Sequence, residues 1–182
     1  TFGNDFIEMR AEVGLFSRNV IFRGNPLDSK ADLFGAHIMV HSPGDESSTA
    51  RIHYIELTES GQAFKLGRYA IHFHMIGTVH SSLVKGNAIH HSYNRACTTH
   101  GVHYFKVEDN VSFDTMGHSF FIEDAVETKC VYKGNLAIMT RESNSFLNTD
   151  TTPGAWWLTI ADNIVINNAV AGSDAYGYWY DM

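Results

Sequence analysis

Leu83-Val-Lys-Gly-Asn-Ala-Ile89 is the stretch that decides the fold, because the chain repeats its pattern three more times. Each copy has a short apolar run, a polar turn that ends in Asn, and a small or apolar continuation. The other copies are Lys106-Val-Glu-Asp-Asn-Val-Ser112, Val131-Tyr-Lys-Gly-Asn-Leu-Ala137 and Ile164-Val-Ile-Asn-Asn-Ala-Val170. The anchoring residues Asn87, Asn110, Asn135 and Asn168 are 23, 25 and 33 residues apart (110−87, 135−110, 168−135). A period in this range, without a helical pattern, predicts a solenoid whose coils are built from short strands.

The residues around these turns alternate between apolar and polar side chains, as half-buried strands do. Residues 50–57 show the alternation most clearly, and the Gly-Asn and Asp-Asn turns suit a left-handed backbone. We therefore predict an all-β fold, a solenoid of stacked coils that forms one segment over residues 1–182. Two irregular stretches, residues 25–46 and 141–154, interrupt the rhythm. Inserts of this kind typically overlie the functional face of a solenoid.

The last residues form an aromatic strand, Tyr178-Trp-Tyr-Asp-Met182, with no closing turn after it. Solenoids need polar caps, because an open last coil exposes its core. We therefore expect the chain to be a segment of a longer protein, incomplete at its C-terminal end. The remaining domains of that parent chain are its first expected partners.

The composition is that of a folded domain with an acidic surface. The chain is 44% hydrophobic and 18% charged, and its net charge is −7. This charge argues against nucleic acid as a partner, because affinity for phosphate depends on many Lys and Arg contacts. No apolar run approaches the roughly 18 residues of a membrane span, so we expect no direct membrane insertion. Cys97 and Cys130 occupy different positions in the repeats and are predicted to be buried free thiols.

Histidine is the residue type that stands out, with 11 in the chain and a dense group between His72 and His103. If the strands before successive Asn turns stack in register, His74, His100 and Glu123 form one column at the adjacent-strand spacing of about 4.8 Å. His72 lies two residues before His74 and faces the same side of its strand. Imidazoles beside carboxylates either ligate a divalent metal or act as an acid–base pair.

Two structural alternatives stand beside this prediction. Ladders of like residues are common in stacked coils, so each single histidine is also compatible with a packing role. The acidic residues Glu123, Asp124 and Glu127 are equally compatible with a solvated rim. The spacing of the histidines does not identify a metal, so the metal remains unknown at this stage.

Aromatic residues concentrate in the last coils, at Trp156, Trp157, Tyr176, Tyr178, Trp179 and Tyr180. Such side chains can stack sugar rings, whose apolar C–H faces pack over the π system. Trp157 and Trp179 are therefore candidate substrate-binding residues. Because side chains alternate along a strand, about half of the set is expected to fill the core instead.

Several longer motifs resemble a known family. They are Ala11-Glu-Val-Gly-Leu-Phe-Ser-Arg-Asn19, Phe34-Gly-Ala-His37, Gly67-Arg-Tyr-Ala-Ile-His-Phe-His74, Ile89-His-His91, Thr99-His-Gly101, Met116-Gly-His-Ser-Phe-Phe-Ile-Glu-Asp124, Ala171-Gly-Ser173 and Gly177-Tyr-Trp179. Over nearly the whole chain they are similar to the right-handed parallel β-helix of G8-domain cell-surface proteins, the family of fibrocystin-L and hyaluronan-binding proteins. The resemblance implies an extracellular or cell-surface location, a ciliary surface included. It also implies a G8 domain upstream and a large multidomain parent.

Within this family the resemblance implies two functions. Hyaluronan-degrading members, in one case Ca²⁺-dependent, suggest a hyaluronidase-type enzyme that cleaves polysaccharide, whereas fibrocystin-L relatives suggest a structural coat protein. The candidate catalytic residues carried over by position are His74, His100, Glu123 and Asp124. The candidate substrate-binding residues carried over are Arg68, His72 and His118. In the enzyme, a carboxyl group would be the general acid, a neutral histidine the base, and the arginine would hold a substrate carboxylate.

The loop after the His-Phe-His strand departs from the family pattern. Hyaluronan-degrading members have an acidic, Gly-rich insertion there, whereas only Gly77-Thr-Val-His80 separates the two strands in this chain. The short loop favours an extracellular structural and glycan-recognition module of a large cell-surface or ciliary coat protein. Its expected partners are polysaccharide or other coat glycoproteins, and the enzyme is the alternative. Ca²⁺, bridging the acidic residues and an anionic sugar, is the expected cofactor.

Overall fold

The computed structural model of the chain describes residues 3, 9–42, 45, 47–144 and 148–182. In this part of the chain, strands account for most of the regular structure, beside helix α1 (Asp28–Asp32) and a 3-10 turn at Asn148–Thr151. The strands are β1 (Ile21–Arg23), β2 (Ile38–His41), β3 (Arg51–His53), β4 (Glu56–Ser60), β5 (Ile71–Thr78), β6 (Leu83–Lys85), β7 (Ala88–Ser92), β8 (Cys97–His103), β9 (Lys106–Glu108), β10 (Val111–Met116), β11 (Phe120–Ile122), β12 (Val131–Lys133), β13 (Leu136–Arg141), β14 (Gly154–Leu158), β15 (Ile164–Ile166), β16 (Ala169–Ser173) and β17 (Tyr176–Tyr180). Neither helical segment described here is long and apolar enough to cross a membrane.

The strands form three parallel sheets, and successive strands enter the sheets in turn. The first sheet has the order β1-β4-β7-β10-β13-β16, the second β2-β5-β8-β11-β14-β17, and the third β3-β6-β9-β12-β15. From β3 onward, each coil therefore adds one strand to every sheet. This topology confirms the predicted all-β parallel β-helix.

The four repeated asparagines form a continuous ladder, here called the Asn ladder (Asn87, Asn110, Asn135 and Asn168), and its first three members are buried. Nδ2 of each of the first three donates to Oδ1 of the next, at 2.9 Å in all three steps. The same Oδ1 atoms accept the backbone N–H of the preceding asparagine at 2.9–3.0 Å. The second Nδ2 hydrogen reaches a backbone carbonyl, as from Asn110 to Val84 at 3.0 Å. The first three amides are thus saturated, which explains why Asn recurs with the coil period.

Apolar side chains stack from coil to coil inside the helix. Phe120 and Trp156 lie with parallel rings and centroids 4.4 Å apart. Burial of a side chain such as Phe120 stabilises the fold by roughly 1.5–3 kcal/mol. Cys97 and Cys130 lie in this core as free thiols, as predicted.

The two inserts interrupt the coils in different ways. Residues 25–46 contain α1 and β2, and β2 pairs with β5 so that His41 is the register partner of His74. This stretch therefore interrupts the rhythm with α1, as predicted, but it also adds a four-residue strand to the second sheet, which leaves little periodic signal in the sequence. The insert at residues 141–154 packs beside the second sheet, where Asp150 is buried against Arg95. Residues 43, 44, 46 and 145–147 of these inserts lie outside the described residues.

Candidate functional site

Alternate residues of the second sheet point away from the core and form columns across the stacked strands. One column contains His41, His74 and His100, which are direct register partners in β2, β5 and β8. Glu123 follows β11, and its backbone N–H donates to the carbonyl of Thr99 at 3.1 Å, which places its side chain next in the column. The predicted arrangement of His74, His100 and Glu123 is thus confirmed, and His41 extends it by one coil.

His72, His74, His100 and Glu123 lie close enough to act together and are called the His/Glu cluster. One ring nitrogen from each histidine lies within 4.8 Å of the other two. Nδ1 of His74 and Nδ1 of His100 are 3.0 Å apart. Oε2 of Glu123 lies 3.5 Å from Nδ1 of His100 and 4.0 Å from Nε2 of His72. A group the size of one ion can therefore contact all four side chains.

Neighbouring groups set the orientation of two of the imidazoles. Nδ1 of His72 lies 2.9 Å from the carbonyl oxygen of Gly67, so it donates there and leaves Nε2 without a proton. Nε2 of His100 lies 2.6 Å from Oδ2 of Asp124. Because an ionised carboxylate only accepts, Nδ1 is the bare nitrogen of His100. Gly67 has a φ of 81°, a left-handed conformation that glycine adopts without strain.

Burial dominates the electrostatics of the cluster. It lowers the pKa of His72 to about 3, and the bond to Gly67 only partly opposes the shift. Burial, followed by the nearby charge of His100, also lowers the pKa of His74. For Glu123, burial raises the pKa of the carboxyl against the opposing effect of His100. Burial therefore favours neutral His72 and His74 and a Glu123 carboxyl that is easier to protonate than usual.

The cluster forms the floor of an open groove of about 350 Å³. The groove brings together five predicted site residues, Arg68, His72, His74, His100 and Glu123. His72 is only 2% exposed, so the edges of His74 and His100 form the accessible part of the floor. Met39 and Leu66 add apolar surface, while Nη1 of Arg68 lies 3.2 Å from Nε2 of His37. Apolar walls with a few converging polar groups are the usual composition of a ligand site.

The solvated acidic rim, which was one alternative, is present only at Asp124, whose side chain is 50% exposed. Glu127 is fully buried, and its Oε1 accepts the backbone N–H of Gly101 at 2.8 Å. Asp124 is bound to His100, so Glu123 is the carboxyl group that faces the imidazoles. Ca²⁺ takes about six to eight oxygen ligands. The nitrogen-rich donors of the groove therefore do not fit the Ca²⁺ that the family resemblance implies.

A second polar cluster lies beside the same sheet but is closed to solvent. Arg95 is 1% exposed and binds Asp150 from Nη2 to Oδ2 at 2.7 Å and from Nε to Oδ1 at 3.1 Å. Its Nη1 donates to the hydroxyl of Tyr69 at 3.2 Å, and its guanidinium carbon lies 3.7 Å from the ring centroid of Phe121. Nε2 of His118 lies 3.4 Å from Oδ1 of Asp150. Tyr69, Arg95, His118 and Asp150 are called the Arg95 cluster.

Not all predicted site residues reach the groove. His118 belongs to the Arg95 cluster, where burial lowers its pKa to about 4. Trp157 is 6% exposed and packs between His118 and Trp179, with centroid distances of 4.6 and 5.8 Å. His118 and Trp157 therefore present no face to a sugar ring, because their rings are covered by neighbours. Trp179 is half-buried on β17, at the edge of the second sheet.

The sequence patterns missed Tyr69, Arg95 and Asp150. Tyr69, Arg95 and His118 each lie two residues before the first residue of β5, β8 and β11, so the strand register could have placed them in one column. No such signal exists for Asp150, because it comes from an insert outside the repeat. The hydroxyl of Tyr69 lies 3.5 Å from Oε1 of Glu123, so the Arg95 cluster contacts the His/Glu cluster.

Comparison with known proteins finds one family model, described as CEMIP β-helix, that matches residues 33–182. Fibrocystin-L of Mus musculus is 40% identical over an alignment that covers 96% of this chain and 5% of the relative. The human Cell surface hyaluronidase CEMIP2 is 34% identical, with 97% of this chain and 15% of the relative covered. The human Cell migration-inducing and hyaluronan-binding protein is 31% identical, with 97% and 16% covered. The chain thus spans only a small part of each of these relatives.

Proposed function

Because this chain belongs to the CEMIP β-helix family, we propose that it is an extracellular β-helix module that recognises an acidic polysaccharide in the groove above the His/Glu cluster. Two of the relatives have names that refer to hyaluronan or to its degradation. Hyaluronan carries a carboxylate on every second sugar. It is therefore the polysaccharide to test first.

The observation that supports this proposal is the position of Arg68 beside a floor of histidine edges. A guanidinium has about five N–H donors in a planar fork, and the contact with His37 uses the Nη1 side. A sugar carboxylate that meets the remaining donors gains a charge-assisted bidentate hydrogen bond. The second ring nitrogen of His74, which does not face His100, can then bond to a hydroxyl or amide group of the neighbouring sugar.

The net charge of −7 restricts this recognition to the groove. The overall field repels a polyanion, so the affinity has to come from direct contacts rather than from long-range attraction. Added salt should therefore weaken binding much less than it weakens capture by a basic surface that releases many counterions. The apolar surface of Met39 and Leu66 offers a contact for the C–H faces of a sugar ring.

Isothermal titration calorimetry of the intact chain with a hyaluronan oligosaccharide tests the proposal. Arg68→Ala should weaken binding about tenfold or more, because a hydrogen bond to a charged group contributes about 1.5–3 kcal/mol. Arg51→Ala removes an exposed arginine from the third sheet and is the matched control, expected to bind like the wild type. Equal weakening by both substitutions, or no binding by the wild type, would contradict recognition in the groove.

Polysaccharide cleavage is the second candidate function, and the contact between His100 and Asp124 favours it. A histidine that a carboxylate holds by one ring nitrogen presents the other nitrogen as a base. Glu123 lies 3.5 Å from that nitrogen, so a candidate acid and a candidate base share the floor of the groove. His74, 3.0 Å from His100, is the alternative base.

Incubation of hyaluronan of defined length with the chain separates the two functions. If the chain cleaves hyaluronan, the polymer becomes shorter, and His100→Ala should abolish this shortening. If the chain binds hyaluronan but leaves its length unchanged, the enzymatic function is excluded and the recognition function is retained. Parallel reactions with and without Ca²⁺ test the cofactor that the resemblance implies. Because the nitrogen-rich cluster does not fit Ca²⁺, an effect of Ca²⁺ on cleavage would mean that its ligands lie elsewhere.

The proposed location is the outside of the cell, because the name of one relative, the human Cell surface hyaluronidase CEMIP2, places it at the cell surface. A ciliary coat, with coat glycoproteins as partners, is the finer part of this proposal. Antibody staining of intact, unpermeabilised cells tests the location. Staining that appears only after permeabilisation would contradict it.

A further inference from the structure

We propose that the His/Glu cluster binds one divalent transition-metal ion of the zinc class, with His72, His74, His100 and Glu123 as ligands. Imidazole nitrogens together with a carboxylate oxygen suit Zn²⁺ and its neighbours Ni²⁺, Cu²⁺ and Fe²⁺, whereas Ca²⁺ and Mg²⁺ prefer oxygen alone. The inference goes beyond glycan recognition and does not depend on it. It rests on the side chains of the cluster.

The spacing of the donor atoms fits a tetrahedral ion. Zinc lies about 2.0–2.1 Å from nitrogen and oxygen ligands, so neighbouring ligands of a tetrahedral site are about 3.4 Å apart. Oε2 of Glu123 is already 3.5 Å from Nδ1 of His100 and 4.0 Å from Nε2 of His72. Nδ1 of His74 and Nδ1 of His100 are 3.0 Å apart. Small side-chain rotations therefore suffice to close the four ligands around an ion.

Two of the ligands are already oriented as histidines are in metal sites. A ligating histidine typically donates its other N–H to a backbone carbonyl or a carboxylate. His72 donates to the carbonyl of Gly67 at 2.9 Å, and His100 donates to Asp124 at 2.6 Å. Both bonds leave the nitrogen that faces the cluster without a proton. This is the form of imidazole that binds a metal.

Two buried polar atoms of the cluster indicate a ligand, because no group in the described structure bonds to them. Nε2 of His72 and Oε2 of Glu123 are buried atoms without a hydrogen-bond partner in the described structure. The side chain of His72 is 98% buried (100 − 2) and aims this nitrogen into the cluster. An unpaired buried polar atom costs about 1–3 kcal/mol. One ion would satisfy both atoms at once.

The contact between His74 and His100 supports the same site. Because Nδ1 of His100 carries no proton, Nδ1 of His74 has to donate across the 3.0 Å gap in the metal-free protein. With an ion in the cluster, His74 adopts its other tautomer and both nitrogens direct lone pairs at the metal. The two histidines are register partners on β5 and β8, so the sheet itself holds these ligands at strand spacing.

Titration of Co²⁺ into the intact, chelator-treated chain tests the site, because four-coordinate Co²⁺ absorbs visible light far more strongly than six-coordinate Co²⁺. The wild type should develop this band and lose it when Zn²⁺ is added. His74→Ala and His100→Ala should abolish it. Asp124→Asn, which removes only the partner of a ligand, should keep the band but weaken Co²⁺ binding about 10–100-fold.

His91→Ala is the matched control, because it removes a histidine from a comparable pair on the first sheet. Nδ1 of His90 and Nδ1 of His91 lie 2.7 Å apart, but this pair is separate from the three-histidine group. His91→Ala should keep the wild-type band and affinity. Loss of the band in this variant, or an unchanged band in His100→Ala, would overturn the proposal.

Circular dichroism checks that each variant is folded, and His100→Gln replaces His100→Ala if the latter is not. Because no polysaccharide is present, the result is independent of the hyaluronan titration. Co²⁺ binding without hyaluronan binding would support the metal site and overturn only the proposed recognition. Absence of the strong band in the folded wild type would overturn the metal site.

Discussion

The Asn ladder and the His/Glu cluster are both sets of polar side chains stacked across neighbouring coils, but only the ladder is complete. Each of its first three amides uses both hydrogens and its oxygen. In the cluster, Nε2 of His72 and Oε2 of Glu123 have no partner within the described residues. Register alone therefore does not distinguish a structural column from a site. What differs between these two columns is the saturation of their buried polar atoms.

Position explains the difference between the two columns. The ladder lies inside the coils, where backbone carbonyls such as that of Val84 are within reach of each amide. The cluster lies on the outer face of the second sheet, where strand pairing already uses the backbone groups. Apart from Nδ1 of His72, which donates to the carbonyl of Gly67, its polar atoms depend on other side chains or on a ligand. A column on such a face can therefore remain open for binding.

Removal of one amide from the ladder should have the largest effect on stability. Asn110→Ala deprives the backbone N–H of Asn87, one Nδ2 hydrogen of Asn87 and the carbonyl of Val84 of a partner, whereas Oδ1 of Asn135 keeps the backbone N–H of residue 110. At about 1–3 kcal/mol for each buried unpaired group, the free energy of unfolding should fall by about 3–5 kcal/mol. Urea unfolding measures this loss. Lys106→Ala, at an exposed position, is the control, and its expected change is within about 0.5 kcal/mol. An equally small effect of Asn110→Ala would contradict the structural role of the ladder.

The Arg95 cluster is closed like the ladder but can ionise, so it should make stability depend on pH. Burial lowers the pKa of His118 from 6.5 to about 4 in the folded protein, with Asp150 and Arg95 facing the ring. Between these values the unfolded chain binds a proton that the folded chain excludes. Stability should therefore fall as the pH drops through this window, by up to about 3 kcal/mol from this group.

Urea unfolding of the wild type and of His118→Gln at neutral pH and near pH 4 measures the contribution of His118. The substituted amide does not titrate, so the variant should lose less stability on acidification than the wild type does. Comparison of the two proteins removes the contribution of other groups. Equal acid sensitivity would show that His118 is not excluded from protonation in the fold.

Zn²⁺ should stabilise the protein through the His/Glu cluster and not through the ladder. At a free concentration about 100-fold above Kd, the free energy of unfolding rises by about 2.7 kcal/mol. Thermal unfolding with Zn²⁺ or with a chelator measures the increment. His100→Ala should lose the stabilisation by Zn²⁺, whereas the control Lys106→Ala should keep it. An equal stabilisation of both variants would contradict the assignment of the ligands.

His74→Ala should have the smallest effect when no metal is present. The side chain is partly exposed, and its removal leaves the unpaired atoms of His72 and Glu123 as they were. We expect a change within about 1 kcal/mol by urea unfolding with a chelator. A loss as large as that of Asn110→Ala would show that this column is structural, like the ladder.

The strand register was the part of the fold that the sequence could predict. The recurring asparagines set the offsets that bring His74, His100 and Glu123 together, because backbone pairing transmits one register to every column of a sheet. Closure of the Arg95 cluster could not be predicted, since Asp150 comes from an insert with no repeat. The burial of Glu127 was missed for a similar reason. Its carboxylate accepts the backbone N–H groups of Asp124 and Val126 in its own turn and of Gly101 in β8, and the repeat predicts none of these bonds.

Anomalous diffraction from crystals grown with Zn²⁺ tests most directly whether the unsaturated column is a site. The structure predicts one strong peak about 2.0–2.1 Å from a ring nitrogen of His72, His74 and His100 and from the carboxylate of Glu123. The Asn ladder should show no peak and no change in its hydrogen bonds. An empty cluster, with zinc bound instead at the His90–His91 pair or at scattered surface histidines, would contradict this conclusion.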